Sequence, residues 1–343
     1  MIFQNIEFHN VAELEQTDKG YIMWRVPADV RAHLNPDSAQ GVCRFGSGIE
    51  LRFRMVSDTV NLVLRTDPIA EAQVAYIYYG AFQAGFMYSS KVINAEETVI
   101  TIAKPEGNAI GQDPTGATGL EIMRKVTTEH QLAFDPEVVR VVIPYGHNYF
   151  VRLEGEVLPP EESQLPAKTY LAYGSSITHG SLGLATPFTY AFRVSQEMRC
   201  DYLNLGFAGN AHLEPAIVDY IVGRKDWDFG SFEWGINMMG DQFPLELFEK
   251  RVKYFIEKLT EDGRPVVVTG IFGYLCESPR TEQMREIVRR NAKGVASNIC
   301  FVDAKALLNN PSYVSADLIH PTAEGQLQIG DRMVEILEEH IRK

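Results

Sequence analysis

Two residues near the end of the chain have the types and the spacing needed for acid–base chemistry. Asp317 precedes His320 by three residues, and Pro321 follows directly. A carboxylate at this distance can fold back onto one imidazole nitrogen, which fixes the tautomer and leaves the other nitrogen to act as a base. Pro321 disfavours helical geometry at His320, so we expect the histidine in a loop. The alternative is that Asp317 or Thr322 only caps the helix that follows.

A serine that follows a glycine at a strand-to-loop junction can present its hydroxyl to solvent. The sequence GSSITHG at residues 174–180 places Ser175 and Ser176 at such a junction, between Gly174 and Gly180. The two glycines permit a tight backbone path and the close approach of a ligand. Taken alone this signal is weak, because glycine and serine are ordinary loop residues.

Two further candidate segments lie at the ends of strand-like runs. Gly206 and Gly209 can expose a backbone N–H for anion stabilisation, or they can simply form a turn. Asn237 follows another such run, and a lone asparagine there is usually a local cap or turn residue. His179 and Trp234 lie close to these segments in the sequence and are candidates for lining a substrate pocket. Packing beneath the Asn237 loop is the alternative for Trp234.

The elements that must position these groups are predicted from a change of hydrophobic period after residue 167. Five apolar, strand-like runs alternate with five helical stretches, which predicts a doubly wound, flavodoxin-like parallel sheet of five strands with helices on both faces. The predicted strands are 170–173, 202–207, 229–234, 265–272 and 299–302, and the predicted helices are 187–198, 214–222, 244–259, 279–295 and 322–341. The four candidate segments follow strands one, two, three and five. We therefore expect them to meet at one edge of the sheet.

Residues 1–160 have a different pattern, which predicts an all-β, jelly-roll-like sandwich domain. Apolar and polar residues alternate along 49–55 and again along 60–65, which predicts a hairpin or meander. Further strand-like runs lie at 73–79, 99–103, 138–143 and 149–157, and no stretch predicts a long helix. Proline and polar residues mark the boundary, so we expect a linker at 161–167 and a second domain at 168–343.

Composition excludes several classes of function. The chain of 343 residues has 32 Lys and Arg against 45 Asp and Glu, a formal net charge of −13, so it lacks the excess of cations that favours nucleic acid or an anionic membrane as partner. Its apolar runs fall short of the roughly 20 residues of a membrane span. The first residues lack a secretory-signal pattern, which predicts a cytoplasmic protein. The four cysteines, Cys43, Cys200, Cys276 and Cys300, are too few and too scattered to predict a zinc site or a disulfide framework.

With these motifs the sequence resembles the SGNH (GDSL-type) hydrolase family over about residues 168–343. The family's Gly-Asp-Ser block resembles residues 174–176, with Ser175 in place of Asp. Its second block resembles residues 204–209. Its Gly-x-Asn-Asp block resembles residues 235–238, with Met238 in place of the final Asp, and its Asp-x-x-His-Pro block matches residues 317–321.

The resemblance implies a serine esterase that needs no cofactor and no metal. Ser176 would be the nucleophile, His320 the general base and then the acid, and Asp317 the residue that orients His320. The oxyanion hole would consist of the N–H groups of Ser176 and Gly206 and the side-chain amide of Asn237.

Within this family, an N-terminal β-sandwich resembles the arrangement of certain carbohydrate esterases that remove acetyl groups. We therefore expect a small-molecule substrate, namely a small acyl ester, acetyl in particular, on a sugar or similar polyol. Aromatic residues between 76 and 88 are candidates for stacking on sugar rings, with packing in the sandwich core as the alternative. An acyltransferase with the same triad and a non-catalytic sugar-binding protein remain open, as does assembly into a homo-oligomer.

Overall fold

The structure, a computed structural model, describes residues 1–69, 71–85, 89–105, 117–272 and 277–342. The chain divides into two compact units. The first consists of Met1–Arg25, Arg44–Ala167 and Arg199–Asp201, and the second of Val26–Cys43, Lys168–Met198 and Tyr202–Lys343. The second unit thus takes in residues 26–43 from the first half of the sequence. The domain bounds given by the sequence pattern stay a prediction.

Antiparallel strands build the first unit. In chain order they are β1 (Ile2–Phe3), β2 (Ile6–His9), β3 (Glu13–Thr17), β4 (Gly20–Trp24), β5 (Glu50–Met55), β6 (Thr59–Thr66), β7 (Val74–Tyr79), β8 (Phe82–Gln83), β9 (Ser90–Val92), β10 (Thr98–Ala103), β11 (Val138–Val142), β12 (Asn148–Glu154) and β13 (Val157–Leu158). A larger sheet has the order β1-β2-β5-β11-β7-β8, with β13 also paired to β5 and β9 to β7. A smaller sheet has the order β10-β6-β12-β4-β3.

The hydrophobic core of this unit draws on both sheets. Leu51 and Phe53 of β5 and Leu62 and Leu64 of β6 are fully buried in one cluster, because alternate residues of a strand point to the same face. The predicted β-sandwich is confirmed. The predicted hairpin is wrong, since β5 and β6 follow each other in the chain but join different sheets. A turn signal predicts that the chain reverses, but it does not determine which strand edges pair.

The first half of the sequence also contains helices. They are α1 (Ala28–Arg31) and α2 (Pro36–Gln40), which belong to the second unit, and α3 (Gly119–His130) in the first. The twelve residues of α3 contradict the prediction that no long helix lies here. α3 begins with a capping box formed by Thr118 and Glu121. Gly119 is its only fully buried residue, and Met123 packs partly buried against the core of the sandwich.

A buried ion cluster stabilises the larger sheet. The Glu50 carboxylate is fully buried on β5 and accepts hydrogen bonds from Arg52 at 2.8 Å and from Arg140 on β11 at 2.8 and 2.6 Å. Burial alone would raise the pKa of Glu50, but the charges of Arg140 and Arg52 outweigh burial and lower the pKa to about 2. The carboxylate therefore stays charged because both arginines face it.

The second unit is a parallel α/β domain. In chain order its remaining elements are β14 (Thr169–Gly174), α4 (Ser176–His179), α5 (Tyr190–Glu197), β15 (Asp201–Gly206), α6 (Pro215–Gly223), β16 (Phe229–Glu233), α7 (Leu245–Asp262), β17 (Val266–Thr269), α8 (Pro279–Ala292), β18 (Ile299–Val302), α9 (Ala304–Leu307) and α10 (Ala323–Ile341). The strand order is β15-β14-β16-β17-β18, and the pairs from β14 through β18 are parallel. This is the flavodoxin-like order, so the predicted fold class is confirmed.

The five strands end close to where the sequence pattern predicts. The largest difference is at the fourth strand, where β17 ends at Thr269 rather than at residue 272. Because strands covered by helices on both faces consist of nearly continuous apolar residues, their positions are easily recognised. In the part of the chain that the structure describes, no helix combines the length and the apolar character needed to cross a membrane.

Candidate active site

Ser176 lies in a tight turn at the end of the first strand of the parallel sheet. β14 ends at Gly174, and Ser175 caps α4 by accepting the N–H of Ile177 on its Oγ at 3.1 Å. Ser176 is the first residue of α4 and is half-buried, so its N–H has no partner within the helix. α4 ends after one turn at Gly180, whose φ of +103° is the left-handed conformation that glycine adopts most readily.

The structure brings Ser176 and His320 into hydrogen-bond contact, although 144 residues separate them. The Oγ of Ser176 lies 2.8 Å from Nε2 of His320. On the other side of the ring, Nδ1 of His320 lies 2.6 Å from Oδ2 of Asp317. A nucleophile–base–carboxylate chain needs both distances at once. The two segments predicted to carry chemistry therefore form one continuous arrangement.

Asp317 is held by its other carboxylate oxygen. Oδ1 accepts the N–H of Ile319 at 2.8 Å, the N–H of His320 at 3.0 Å and the hydroxyl of Ser315. Partial burial alone would raise the pKa of Asp317, but the hydrogen bonds from Ser315 and His320 and the backbone N–H bonds hold it well below the usual range. Asp317 is therefore charged and fixed in orientation at neutral pH.

Gly206 is the last residue of β15 and packs against the nucleophile turn. A Cβ at this position would lie 2.2 Å from the backbone nitrogen of His179 and 2.4 Å from its Cα, so only glycine allows β15 and α4 to approach this closely. The N–H of Gly206 donates to Oδ1 of Asn204 at 2.8 Å. The amide nitrogen of Asn204 in turn donates to the carbonyl of Thr178 at 2.9 Å. Asn204 thus connects Gly206 to the turn that carries Ser176.

Asn237 lies in a short helical turn after β16. Gly235 begins this turn with a φ of +122°, a conformation that side chains of other residues disfavour. Oδ1 of Asn237 accepts the N–H of Ala211 at 3.0 Å. Because this bond fixes the side-chain oxygen, the amide nitrogen is the group of Asn237 that can donate to a ligand.

Glu233 is a site residue that sequence reasoning missed. It is the last residue of β16, is 1% exposed, and accepts the N–H of Ser175 on Oε2 at 2.7 Å. Burial raises the pKa of this carboxyl group, while the hydrogen bonds from Ser175 and Thr178 oppose the rise. The available signal was a carboxylate at the end of a predicted buried strand, where a charged side chain is unusual.

The family model of the GDSL-like lipase/acylhydrolase family matches residues 172–327, which include every one of these site residues. This part of the chain is similar to that family. The family resemblance predicted from the motifs is confirmed. No curated protein matches the sequence.

Solved structures share the fold of the whole chain at low sequence identity. The salicylyl-acyltransferase SsfX3 from a tetracycline biosynthetic pathway is 16% identical, with a TM-score of 0.75 over 98% of this chain and 96% of that one. A family two carbohydrate esterase from Cellvibrio japonicus is 10% identical, with a TM-score of 0.62 over 99% and 96%. The acetyl xylan esterase Est2A from the rumen bacterium Butyrivibrio proteoclasticus is 10% identical, with a TM-score of 0.54 over 100% and 97%. At these low identities, the TM-scores show a shared fold and nothing more.

Two predicted pocket residues of the GDSL-like domain lie in its interior. His179 and Trp234 are both fully buried. The indole of Trp234 stacks on the ring of Phe255 with centroids 4.9 Å apart. Burial of both side chains argues against a role in lining an open substrate cleft.

The described aromatic residues of this run in the first unit divide equally between buried and half-buried positions, with Tyr76 and Phe82 half-buried. Tyr78 and Tyr79 of β7 are buried, and Tyr79 belongs to the sandwich core. Phe86 and Tyr88 lie outside the described residues, as does Cys276. Among the described residues no group of three or more His, Cys, Asp or Glu side chains is arranged to hold a metal ion.

Proposed function

We propose that the protein is a serine esterase that hydrolyses a small acyl ester, acetyl in particular, on a carbohydrate or similar polyol. The observation that carries this proposal is the hydrogen-bonded chain from Ser176 Oγ through the His320 ring to Asp317, with distances of 2.8 and 2.6 Å. The family match supports an ester bond as the target. The relatives named as carbohydrate esterases support a sugar as the alcohol.

In the acylation step Ser176 Oγ attacks the ester carbonyl while Nε2 of His320 takes its proton. The proton on Nδ1 stays in the hydrogen bond to Asp317, whose negative charge stabilises the imidazolium. When the tetrahedral intermediate collapses, the C–O bond to the alcohol breaks and His320 returns the proton to the leaving oxygen. Ser176 then carries the acyl group as an ester.

In the deacylation step a water molecule repeats the attack on the acyl group of Ser176. His320 takes a proton from this water. When the second tetrahedral intermediate collapses, the bond from the acyl carbon to Ser176 Oγ breaks, His320 returns the proton to Oγ, and the carboxylic acid leaves. In both steps the developing oxyanion would receive the N–H of Ser176 and the amide N–H of Asn237. The N–H of Gly206 would be shared between this oxyanion and Oδ1 of Asn204, which it contacts at 2.8 Å.

An acyltransferase is the second candidate, because an alcohol or amine that replaces water would use the same Ser176, His320 and Asp317. One full-length relative is a salicylyl-acyltransferase, so this fold accommodates acyl transfer in another protein. The two activities differ in their products. Incubation of an acyl ester with and without a sugar or amine acceptor, followed by mass spectrometry, separates free acid from a newly acylated acceptor.

Active-site labelling tests the proposal directly. The wild type, Ser176→Ala and His320→Ala are treated with a serine-reactive fluorophosphonate, and the adduct is located by intact mass and peptide mapping. We expect one adduct on Ser176 in the wild type and none in either variant, together with release of acetate from an acetylated sugar by the wild type alone. A folded wild type without adduct and without turnover, but with saturable sugar binding that survives Ser176→Ala, would instead support the binding-protein alternative. Cytoplasmic location and assembly into a homo-oligomer stay predictions.

A further inference from the structure

The carboxyl group of Glu233 contacts the nucleophile turn from below. Its Oε2 accepts the N–H of Ser175, the residue that precedes Ser176, at 2.7 Å. The same oxygen lies 3.4 Å from the hydroxyl of Thr178, two residues after Ser176. Both residues are fully buried, and Glu233 is 1% exposed. One oxygen therefore bonds to the turn on both sides of Ser176.

The turn is also fitted sterically to this carboxyl group. A Cβ at Gly174 would lie 2.7 Å from Oε2 of Glu233 and 2.2 Å from the hydroxyl oxygen of Thr178. Distances this short do not occur for real Cβ atoms, so glycine is required for the carboxyl group and the turn to approach each other. The hydroxyl of Thr178 continues the contact by bonding to the Tyr190 hydroxyl at 2.8 Å.

A carboxyl group at this position is unfavourable for stability alone. Oε1 of Glu233 is buried and has no hydrogen-bond partner among the described residues, and burying a carboxyl group without full pairing is costly. Its neighbour in the adjacent strand, Thr269 of β17, satisfies its own hydroxyl with the carbonyl of Val302 at 2.9 Å. If Glu233 had only a structural role, an apolar side chain in its place would make the folded protein more stable.

We propose that Glu233 is the positioning residue of the nucleophile, holding Ser176 at the angle that meets His320 by anchoring the N–H of Ser175 and the hydroxyl of Thr178. This inference rests on the proposed function of Ser176. The turn itself lacks the carboxylate that the family's first block carries beside the serine, since Ser175 stands there. Glu233 brings a carboxyl group to the same turn from β16 instead.

Three variants test this role by steady-state hydrolysis of 4-nitrophenyl acetate. Glu233→Met keeps the length and volume of the side chain but removes both oxygens, and we expect kcat to fall about 10²-fold with KM within about twofold, because a small misplacement of the nucleophile has that effect. Glu233→Gln keeps an acceptor oxygen and should lose about two- to tenfold in kcat. Thr269→Val is the matched control, since it changes a buried hydroxyl at the paired position of the next strand, and its kcat and KM should equal those of the wild type.

Hydrogen exchange of the peptide containing Ser175 gives a readout that does not depend on turnover. We expect faster exchange of this peptide in Glu233→Met, wild-type exchange in Thr269→Val, and unfolding temperatures of the folded variants within about 5 °C of the wild type. Wild-type kcat and wild-type exchange in Glu233→Met would overturn the proposal, and so would a loss of kcat that Thr269→Val shares. Should Glu233→Met not fold, Glu233→Gln decides, and its agreement with the wild type in both measurements then overturns the proposal.

The same experiment separates this inference from the proposed function. If the wild type neither reacts with a fluorophosphonate nor hydrolyses an ester, the proposed function is wrong. Exchange at Ser175 in the Glu233 variants still shows whether the carboxyl group holds the turn. If Ser176 is labelled in the wild type and is labelled at the same rate in Glu233→Met, the positioning role of Glu233 is wrong, while the proposed function still holds.

Discussion

Asp317→Asn is the most discriminating change in the proposed triad because the structure determines how the new amide must lie. Oδ1 of Asp317 accepts two backbone N–H groups, from Ile319 and His320, and the Ser315 hydroxyl. An amide –NH₂ group in the place of Oδ1 would face these three donors, so the asparagine oxygen must occupy the Oδ1 position. The –NH₂ group then faces Nδ1 of His320 at the 2.6 Å position now occupied by a carboxylate oxygen.

This orientation inverts the histidine tautomer. Because the –NH₂ group donates to Nδ1, the ring proton moves to Nε2, and Nε2 then donates to Ser176 instead of accepting its proton. In a serine hydrolase the wrong tautomer lowers kcat by about 10⁴-fold, which corresponds to about 5 kcal/mol of transition-state stabilisation. The loss should be no larger than that of Ser176→Ala, since the oxyanion donors and the nucleophile remain in place.

The assay is steady-state hydrolysis of 4-nitrophenyl acetate, with circular dichroism to show that the variant is folded. Ser315→Ala is the matched control, because it removes one hydrogen bond from the same carboxylate but keeps the charge and the tautomer. We expect Ser315→Ala to lose less than about tenfold in kcat. A folded Asp317→Asn enzyme within tenfold of the wild type would refute the tautomer argument, and equal losses in the two variants would show that loop structure alone is responsible.

Four further predictions, on five variants, test other residues of the molecule. Ser176→Ala or His320→Ala should lower kcat by about 10⁴- to 10⁶-fold with the fold intact, and wild-type turnover of either variant would remove the triad assignment. Asn237→Ala should lower kcat by about 10²- to 10³-fold and leave KM nearly unchanged; an effect confined to KM would exclude this residue from the oxyanion hole. Gly206→Ala should lower both kcat and the unfolding temperature, because its methyl group would overlap the backbone of α4 at 2.2 Å, and a variant that melts and turns over like the wild type would contradict this packing. Arg140→Met should lower the free energy of unfolding, measured with denaturant at pH 7, by about 3–5 kcal/mol, because it leaves the buried Glu50 carboxylate with one arginine. This difference from the wild type should shrink as pH falls toward the Glu50 pKa of about 2. A difference below about 1 kcal/mol at pH 7 would argue against a stabilising role of the ion cluster.

Much of the second unit could be predicted from its sequence because each element has a distinct period. Buried parallel strands consist of short apolar runs, and the helices between them repeat apolar residues on one face. The first unit was less predictable. The alternation along β5 and β6 predicts two strands but not the sheet to which each belongs, and the apolar residues of α3 are only partly buried.

The residues proposed for chemistry were predicted from short local motifs together with the resemblance of these motifs to a known family. Asp317 and His320 are three residues apart, and Ser176 and Asn237 each follow a glycine-containing strand end. Glu233 could not be predicted in this way, since its partner Ser175 lies 58 residues away in the sequence. Long-range hydrogen bonds of single side chains leave no periodic pattern, and they become visible only when the strands are placed side by side.

These long-range bonds explain how residues from separate loops hold one geometry. Glu233 connects the end of β16 to the nucleophile turn, and Asn204 connects β15 to the same turn. Gln326 of α10, also fully buried, donates to the carbonyl of Ile177 at 3.0 Å and so links the helix that follows His320 to α4. Each of these side chains satisfies a backbone group that the tight turn leaves unpaired, and each does so away from solvent, where such bonds are strongest. A substitution at any of the three should therefore act on kcat through the position of the nucleophile, even though none of them lies within the triad.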